Sequence, residues 1–276
     1  MDLAREIERN VAAALAEDVG SGDVTAALTP QSAEARARVI ARQDAVLCGH
    51  AWFDACFRKL DPEASIRWHA TEGARVTRGQ AVCELSGKAR ALLTGERTAL
   101  NFVQMLSAVA TKTSEYVAAV ASTRAKIVDT RKTLPGLRAA EKYDVRIGGG
   151  VNHRMGLYDA IMLKENHIAA FGGVRPALAA AQKAAGPGIW IQVEVETLDQ
   201  LRQGLEGGAT MILLDNMSTH DMREAVKITA GRAELEASGG ITLETVRAIA
   251  ETGVDRISIG SLTKDIEAVD FSMRFE

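Results

Sequence analysis

Apolar residues at Leu3, Ile7, Val11, Ala14 and Leu15 recur every three or four positions, a spacing that lines one face of a helix. The chain is therefore expected to open on an amphipathic helix, ended by the glycines of EDVGSGDVT and by Pro30. Alternating and β-rich runs follow in ARARVIARQDAVLCG, ASIRWHATEG, ARVTRG and QAVCELSG, interrupted by the helical HAWFDACFRKL. These predict a small α+β domain built on a sheet. Thr94 is expected to cap a long helix over TGERTALNFVQMLSAVATKTSEYVAAVA, with Glu96 in its first turn. Arg97 would then oppose the helix dipole. Two readings stay open for it, a charge facing solvent or a cation placed to meet an anion.

Past Ser122 the pattern changes. Short β-branched or apolar runs (AKIVDT, DAIMLKE, IWIQVEVE, TMILLDN, AELEAS, DRISIGS) alternate with amphipathic stretches such as GGVRPALAAAQKAAG, LDQLRQGLEGG, HDMREAVKITAG and TLETVRAIAETG. Strand-helix repetition of this kind predicts parallel strands joined by crossover helices. Each strand ends in polar or glycine residues, and chemistry gathered at the carboxyl ends of successive strands is the arrangement of a β/α barrel; an open doubly wound sheet would concentrate it at one switch point. About six strand patterns are present where a complete barrel has eight. The expected fold is thus α/β, an incomplete parallel β/α barrel over residues 109–264 behind an N-terminal α+β sandwich domain over 1–108, which residues 265–276 rejoin. An incomplete barrel has strand edges that must be covered, by the amino-terminal domain of the same or of a second subunit, and an oligomer is expected.

Composition narrows the classes. At 276 residues, 47% hydrophobic and 25% charged, the chain is that of a globular protein. A net charge of -3 and an aromatic content of 4% argue against general nucleic-acid binding. Cys48, Cys56 and Cys83 form no C-x-x-C pair and sit in apolar surroundings, which fits buried thiols in a reducing compartment. The amino-terminal stretch carries charges throughout and no segment offers roughly 18 uncharged apolar residues. A cytoplasmic protein without membrane or nucleic-acid partners is expected.

Candidate chemistry concentrates between Asp129 and His167, where Arg131, Lys132, Arg138, Lys142, Arg146, Arg154 and Lys164 accompany His153, His167 and a triple glycine. Cations at that density suit carboxylates and phosphates. Glu194 and Asp215 end later strands and form an acidic counterpart, which faces an anionic ligand sensibly when Mg2+ lies between them. ASGGI and SIGSL put backbone N–H groups after strands, as an anion cradle does. No H-E-x-x-H, G-x-S-x-G or Walker loop is present, so zinc, hydrolase and P-loop chemistries lack support. His50, His69 and His220 are expected to be structural.

The motifs DTRKTLPGLR, EKYDVRIGGGVNHRMGLYDAIMLKENHI, VEVET, ILLDN, LEASGGI and ISIGSLT, with EDVGSGDVT and GERTALNF upstream, resemble the quinolinate phosphoribosyltransferase family from about Leu15 to Thr263. The resemblance implies Mg2+-dependent transfer from 5-phosphoribosyl 1-diphosphate to quinolinate with decarboxylation, in NAD biosynthesis, by a homodimer or hexamer with shared active sites. It implies further that Arg97 reaches across from a neighbouring subunit. Thr130, Arg131, His153, Arg154 and Lys164 would hold quinolinate, with Lys132 near the diphosphate. Glu194 and Asp215 would serve ribose and metal, directly or through substrate and water. Ser238, Gly239, Gly240, Ser258, Ile259 and Gly260 would hold the 5-phosphate. Lys132, Lys164, Glu194 and Asp215 are the implied catalytic set. A related barrel protein with a different substrate is the nearest rival.

Overall fold

The computed structural model describes residues 2–276, and their contacts group into two compact units. The first comprises residues 2–114, Thr133–Gly149 and Thr263–Glu276; the second comprises Glu115–Lys132 and Gly150–Leu262. Residues 133–149, expected with the barrel, thus group with the first unit. Ala140 is fully buried there, and Leu137, Tyr143 and Ile147 pack against that unit's core.

The first unit holds α1 (Leu3–Val19), β1 (Glu34–Ala41), β2 (Ala45–Val46), α2 (His50–Leu60), β3 (Ser65–Trp68), β4 (Arg75–Val76), β5 (Ala81–Lys88), most of α3 (Ala89–Val120) and α4 (Arg138–Ile147). Asp2 caps α1 by accepting the Arg5 N–H at 3.2 Å. β1 lies antiparallel between β5 and the closing strand Phe271–Phe275, and β3 extends the sheet beyond β5. Trp52, Phe53 and Phe57 of α2 are fully buried. Phe53 meets Phe57 and Trp68 edge-on with ring centroids 5.0 and 5.1 Å apart, and burial of such a ring is worth roughly 2–3 kcal/mol.

Helix α3 corrects one expectation. It starts at Ala89, directly after β5, and Thr94 is no cap: its hydroxyl donates to Asp23 Oδ2 at 2.9 Å. Ala89, Ala91 and Leu92 are good helix formers, and their burial carries the helix back to the strand. Arg97 therefore lies beyond the first turn, and the opposition to the helix dipole lapses.

In the second unit all six expected strands form: β6 (Lys126–Val128), β7 (Ala160–Leu163), β8 (Trp190–Val195), β9 (Met211–Asp215), β10 (Glu234–Ser238) and β11 (Arg256–Ser258). They pair in parallel in the order β6-β11-β10-β9-β8-β7. The first strand thus neighbours the last, as barrel closure requires, and the opening falls between β6 and β7, where a single parallel bridge joins Val128 to Val151. Helices α5 (Glu165–Ala170), α6 (Val174–Ala184), α7 (Leu198–Glu206), α8 (Thr219–Thr229) and α9 (Val246–Ala250) connect the strands. Thr197 and Ser218 cap α7 and α8 by accepting the N–H groups of Gln200 and Asp221. Val193, Val195, Ile212, Leu214, Leu235, Ala237 and Ile257 are buried. Side chains alternate along each strand, so Gln192, Glu194, Leu213, Asp215, Glu236 and Ser238 take the opposite, inner face. Among the described residues no helix is long and apolar enough to cross a membrane.

Candidate active site

The inner faces of these strands surround a cavity of about 250 Å³, lined by Asp129, Thr130, Arg131, Lys132, His153, Arg154, Met162, Lys164, Glu194, Leu213, Asp215, Glu236, Ser238 and Ser258. Every one of these belongs to the second unit. Register explains the convergence. Asp215 is the pairing partner of Ser238, and Leu213 is the partner of both Glu194 and Glu236, so the strand ends lie level around the opening.

The cations gather on one side. Burial and the neighbouring Arg131 guanidinium both lower the pKa of Arg154, with Asp159 acting against them. Like charges held this close are costly until an anion arrives. Arg154, in the segment before β7, is aimed by that strand: Nη1 donates to the Ala160 carbonyl at 3.1 Å. Thr130 Oγ1 accepts the Lys132 N–H at 3.0 Å. The Lys132 side chain then runs over Gly260, where a Cβ would stand 2.9 Å from Lys132 Cδ.

Across the cavity, Lys164 Nζ meets Glu194 Oε2 at 3.1 Å. Burial nevertheless raises the Glu194 pKa from its ordinary value, the lysine works against that rise, and the Asp215 and Glu165 charges add to it. Asp215 is steadied by Asn216, whose amide donates to Oδ2 at 2.7 Å. Asn216 itself has φ 52°, a left-handed conformation that asparagine tolerates. It packs so closely on Gly239 that a Cβ there would overlap Asn216 Oδ1.

The predicted residues do not all converge. Thr130, Arg131, Lys132, His153, Arg154, Lys164, Glu194, Asp215, Ser238 and Ser258 line the cavity, while Gly239, Gly240, Ile259 and Gly260 follow its strand ends without lining it. Ile259 is 2% exposed and its N–H donates to the Val128 carbonyl at 2.9 Å, so that group is occupied by the sheet. Arg97 lies on α3 in the first unit. Arg138, Lys142 and Arg146 lie on α4, also in the first unit, and do not line this cavity. His167 accepts the Lys164 N–H through Nδ1 at 3.1 Å, at the start of α5. Both ring nitrogens of His153 bond to protein: Nδ1 accepts the Arg154 N–H at 2.8 Å and Nε2 lies 2.9 Å from Gln192 Oε1. Pattern reading missed Glu236, which lines the cavity, and Gln192, which bonds His153; Asp129 and Asn216 stood in the strand-end clusters but were given no role.

Could the donors present hold a metal? Among the described residues no group of three or more His, Cys, Asp or Glu is arranged to bind one. Glu194 and Asp215 offer two carboxylates beside one cavity. That is the protein share expected for Mg2+, which usually keeps waters and takes its remaining ligands from substrate phosphates.

Two family models together span most of the chain: the quinolinate phosphoribosyl transferase N-terminal domain over residues 23–107 and the C-terminal domain over 109–274. A Bacillus subtilis relative described as "Probable nicotinate-nucleotide pyrophosphorylase [carboxylating]" is 44% identical over 257 residues, 93% of this chain and 89% of the relative. A Nicotiana glauca mitochondrial quinolinate phosphoribosyltransferase (decarboxylating) is 40% identical, covering 95% of this chain and 80% of the relative. Among solved structures, the nicotinate-nucleotide pyrophosphorylase from Francisella tularensis superposes with a TM-score of 0.96 at 42% identity, over 99% of this chain and 97% of the other.

Proposed function

This chain belongs to the quinolinate phosphoribosyltransferase family, and from that premise we propose that it transfers the phosphoribosyl group of 5-phosphoribosyl 1-diphosphate to quinolinate with loss of carbon dioxide, forming nicotinate mononucleotide and diphosphate for NAD biosynthesis. One observation carries the reading: four cations, Arg131, Lys132, Arg154 and Lys164, share a single cavity with the strand-end acids Glu194 and Asp215, while the other two acids lining it, Asp129 and Glu236, bond to Asn152, His153, Gln192 and Arg256.

Quinolinate has two adjacent carboxylates. Arg131, Arg154 and Lys164 would bind them, the guanidiniums by paired N–H groups and the lysine as a point charge. Nicotinate has one carboxylate and would leave part of that cationic wall uncompensated, which discriminates against it. The ring nitrogen attacks the anomeric carbon as the bond to diphosphate breaks. Positive charge grows on the ribose in that step, and Glu194 and Asp215 are suited to stabilise it. Lys132 would take the negative charge leaving with diphosphate. Ser238 to Gly240 and Ser258 to Gly260 would receive the 5-phosphate, with the Ile259 N–H excepted. Mg2+, held by Glu194, Asp215 and the substrate, would neutralise diphosphate charge. Once the ring nitrogen is quaternised, the electron pair of the C2–carboxylate bond can remain on C2 beside it; carbon dioxide departs and C2 takes up a proton.

We propose further that the protein works in the cytoplasm as a homodimer with shared active sites, alone or as the unit of a hexamer, with Arg97 entering the neighbouring subunit's cavity. The test is product analysis with 5-phosphoribosyl 1-diphosphate and Mg2+. Carbon dioxide and nicotinate mononucleotide should form from quinolinate, and no turnover should occur with nicotinate. Absence of quinolinate turnover, or equal use of nicotinate, would overturn the reading.

A further inference from the structure

Beneath the charged rim, the barrel interior departs from the Val, Ile and Leu layers that usually fill it. Gln192 of β8 and Glu236 of β10 are 0% and 1% exposed, and His153 is 8% exposed. A continuous chain of bonds joins them. The Arg154 N–H donates to His153 Nδ1 at 2.8 Å. His153 Nε2 lies 2.9 Å from Gln192 Oε1. Gln192 Nε2 donates to Glu236 Oε2 at 3.2 Å, and Arg256 Nε donates to the same oxygen at 3.0 Å. The peptide itself is clamped as well, since Asp129 Oδ1 accepts the His153 N–H at 2.8 Å and Asp129 Oδ2 accepts from the Asn152 amide.

Donor and acceptor chemistry gives this chain one direction. A carboxylate beside an arginine is an acceptor only, so the Gln192 amide must turn its NH2 toward Glu236 and its oxygen toward His153. That oxygen in turn requires a proton on Nε2. At the other end, Nδ1 accepts a backbone N–H and so has none. The second Glu236 oxygen, 3.7 Å from Nε2, makes no hydrogen bond within the protein, and its charge favours the same tautomer. The charged and aromatic groups around His153 are thus Asp129, which follows β6 and takes the His153 backbone N–H, Arg154 from its own segment, Glu236 from β10 with Arg256 behind it, and the edge-on Trp190 ring of β8, 5.0 Å between centroids.

We infer that Gln192 and Glu236 are positioning residues: together they hold His153 as the neutral imidazole protonated on Nε2, and so fix the peptide that presents Arg154 to the diacid. His153 then contributes no charge and no free ring nitrogen to the ligand. Its part in binding is to place its neighbour. The kinetic half of this inference rests on the proposed function; the tautomer half does not.

Two measurements on the full-length protein test it. The first is the ¹⁵N spectrum of the histidine ring nitrogens across about pH 5.5–8, the range in which an ordinary imidazole titrates. His153 should keep one proton, on Nε2, throughout, whereas in Gln192→Leu that single form should give way to titration or tautomer exchange. The second is steady-state kinetics. Gln192→Leu and Glu236→Gln should each raise the KM for quinolinate about tenfold, as expected when a buried bonded group loses its partner, with kcat and the KM for 5-phosphoribosyl 1-diphosphate within about twofold. A doubly protonated or Nδ1-protonated His153 in the unaltered protein would overturn the inference, and so would a folded Gln192→Leu with unchanged quinolinate KM. If the substituted proteins do not fold, the spectrum of the unaltered protein decides. Should the unaltered enzyme fail to turn over quinolinate, the proposed function falls, while the nitrogen spectrum still judges the tautomer.

Discussion

Both compact units bury acidic side chains, but several of these acids differ in what they bond. In the barrel, Glu236 is paired with Arg256, and Glu194 with Lys164. In the first unit, fully buried Asp144 meets the Cys48 thiol at 3.2 Å, and equally buried Glu141 accepts the Leu134 N–H at 3.1 Å. Glu72 collects the Gly49 N–H at 2.8 Å and the Tyr143 hydroxyl at 3.2 Å. Burial pushes Asp144 well above the carboxylate range and Glu141 up to about 8, against the Leu134 bond and the Arg138 charge, which lower the latter. Acids set against cations around a cavity keep charge available for a ligand. Acids set against thiols and amides shed it, and serve packing.

The sharpest way to break this contrast is to remove cations from each region. Arg131→Ala and Arg154→Ala should each raise the quinolinate KM a hundredfold or more, because a guanidinium fork makes two bonds and each charged bond lost costs ~1.5–3 kcal/mol. Arg146→Ala, an exposed α4 position, should leave that KM within about twofold. Equal effects in steady-state assays would show that the whole basic stretch acts as one site after all.

A second test reads the neutral acids through pH. Below pH 4.5, the ordinary glutamate value, folded and unfolded chains both hold the Glu141 proton. Between there and about 8 the unfolded chain releases it and the native one keeps it, so stability falls as pH rises through that window. A pKa unit is worth about 1.4 kcal/mol; allowing for partial solvation, the decline due to Glu141 should be on the order of 2–3 kcal/mol. Denaturant unfolding of Glu141→Gln should show that much less decline. An identical pH dependence in both proteins would mean that Glu141 is ionised in the native state.

How much of this was legible beforehand follows from where each signal lies. The six barrel strands were readable because β-branched runs between turn signals are local, and the strand-end residues Arg131, Lys132, Lys164, Glu194 and Asp215 came with them; Arg154, ahead of β7, came from the density of cations around the triple glycine. The start of α3 was not readable: Gly87 ends the β-rich run, but no cap-type residue stands between it and Thr94, so Thr94 looked like the cap. Residues 138–147 were taken with the basic stretch from Asp129 to His167 because tertiary packing of Ala140 and Val145 is what sets α4 apart from it. Gln192 and Glu236 were missed for a different reason. Mid-strand polar residues in IWIQVEVE and AELEAS match no motif, and attention to strand ends passes over them; closure of the barrel turns their face inward. Once a barrel is suspected, polar alternation on its strands is itself the signal.

The smallest effect separates crowding from strain at two glycines on the cavity's rim. Gly239 has φ 109° and lies against Asn216, so Gly239→Ala strains the backbone and displaces the side chain that steadies Asp215; both stability and turnover should drop. Gly260 has no such φ, and the atoms an added methyl would meet all belong to the flexible Lys132 side chain, Cδ at 2.9 Å and Nζ at 3.6 Å. The lysine can swing aside at little cost to the fold. Gly260→Ala should therefore melt within about 2 °C of the unaltered protein, yet lose roughly three- to tenfold in kcat/KM, about 1 kcal/mol of misplaced charge. If Lys132 serves the diphosphate, that loss should appear when 5-phosphoribosyl 1-diphosphate is varied and not when quinolinate is. A loss confined to quinolinate would move Lys132 to the diacid side of the cavity, and unchanged kinetics would remove it from the reaction.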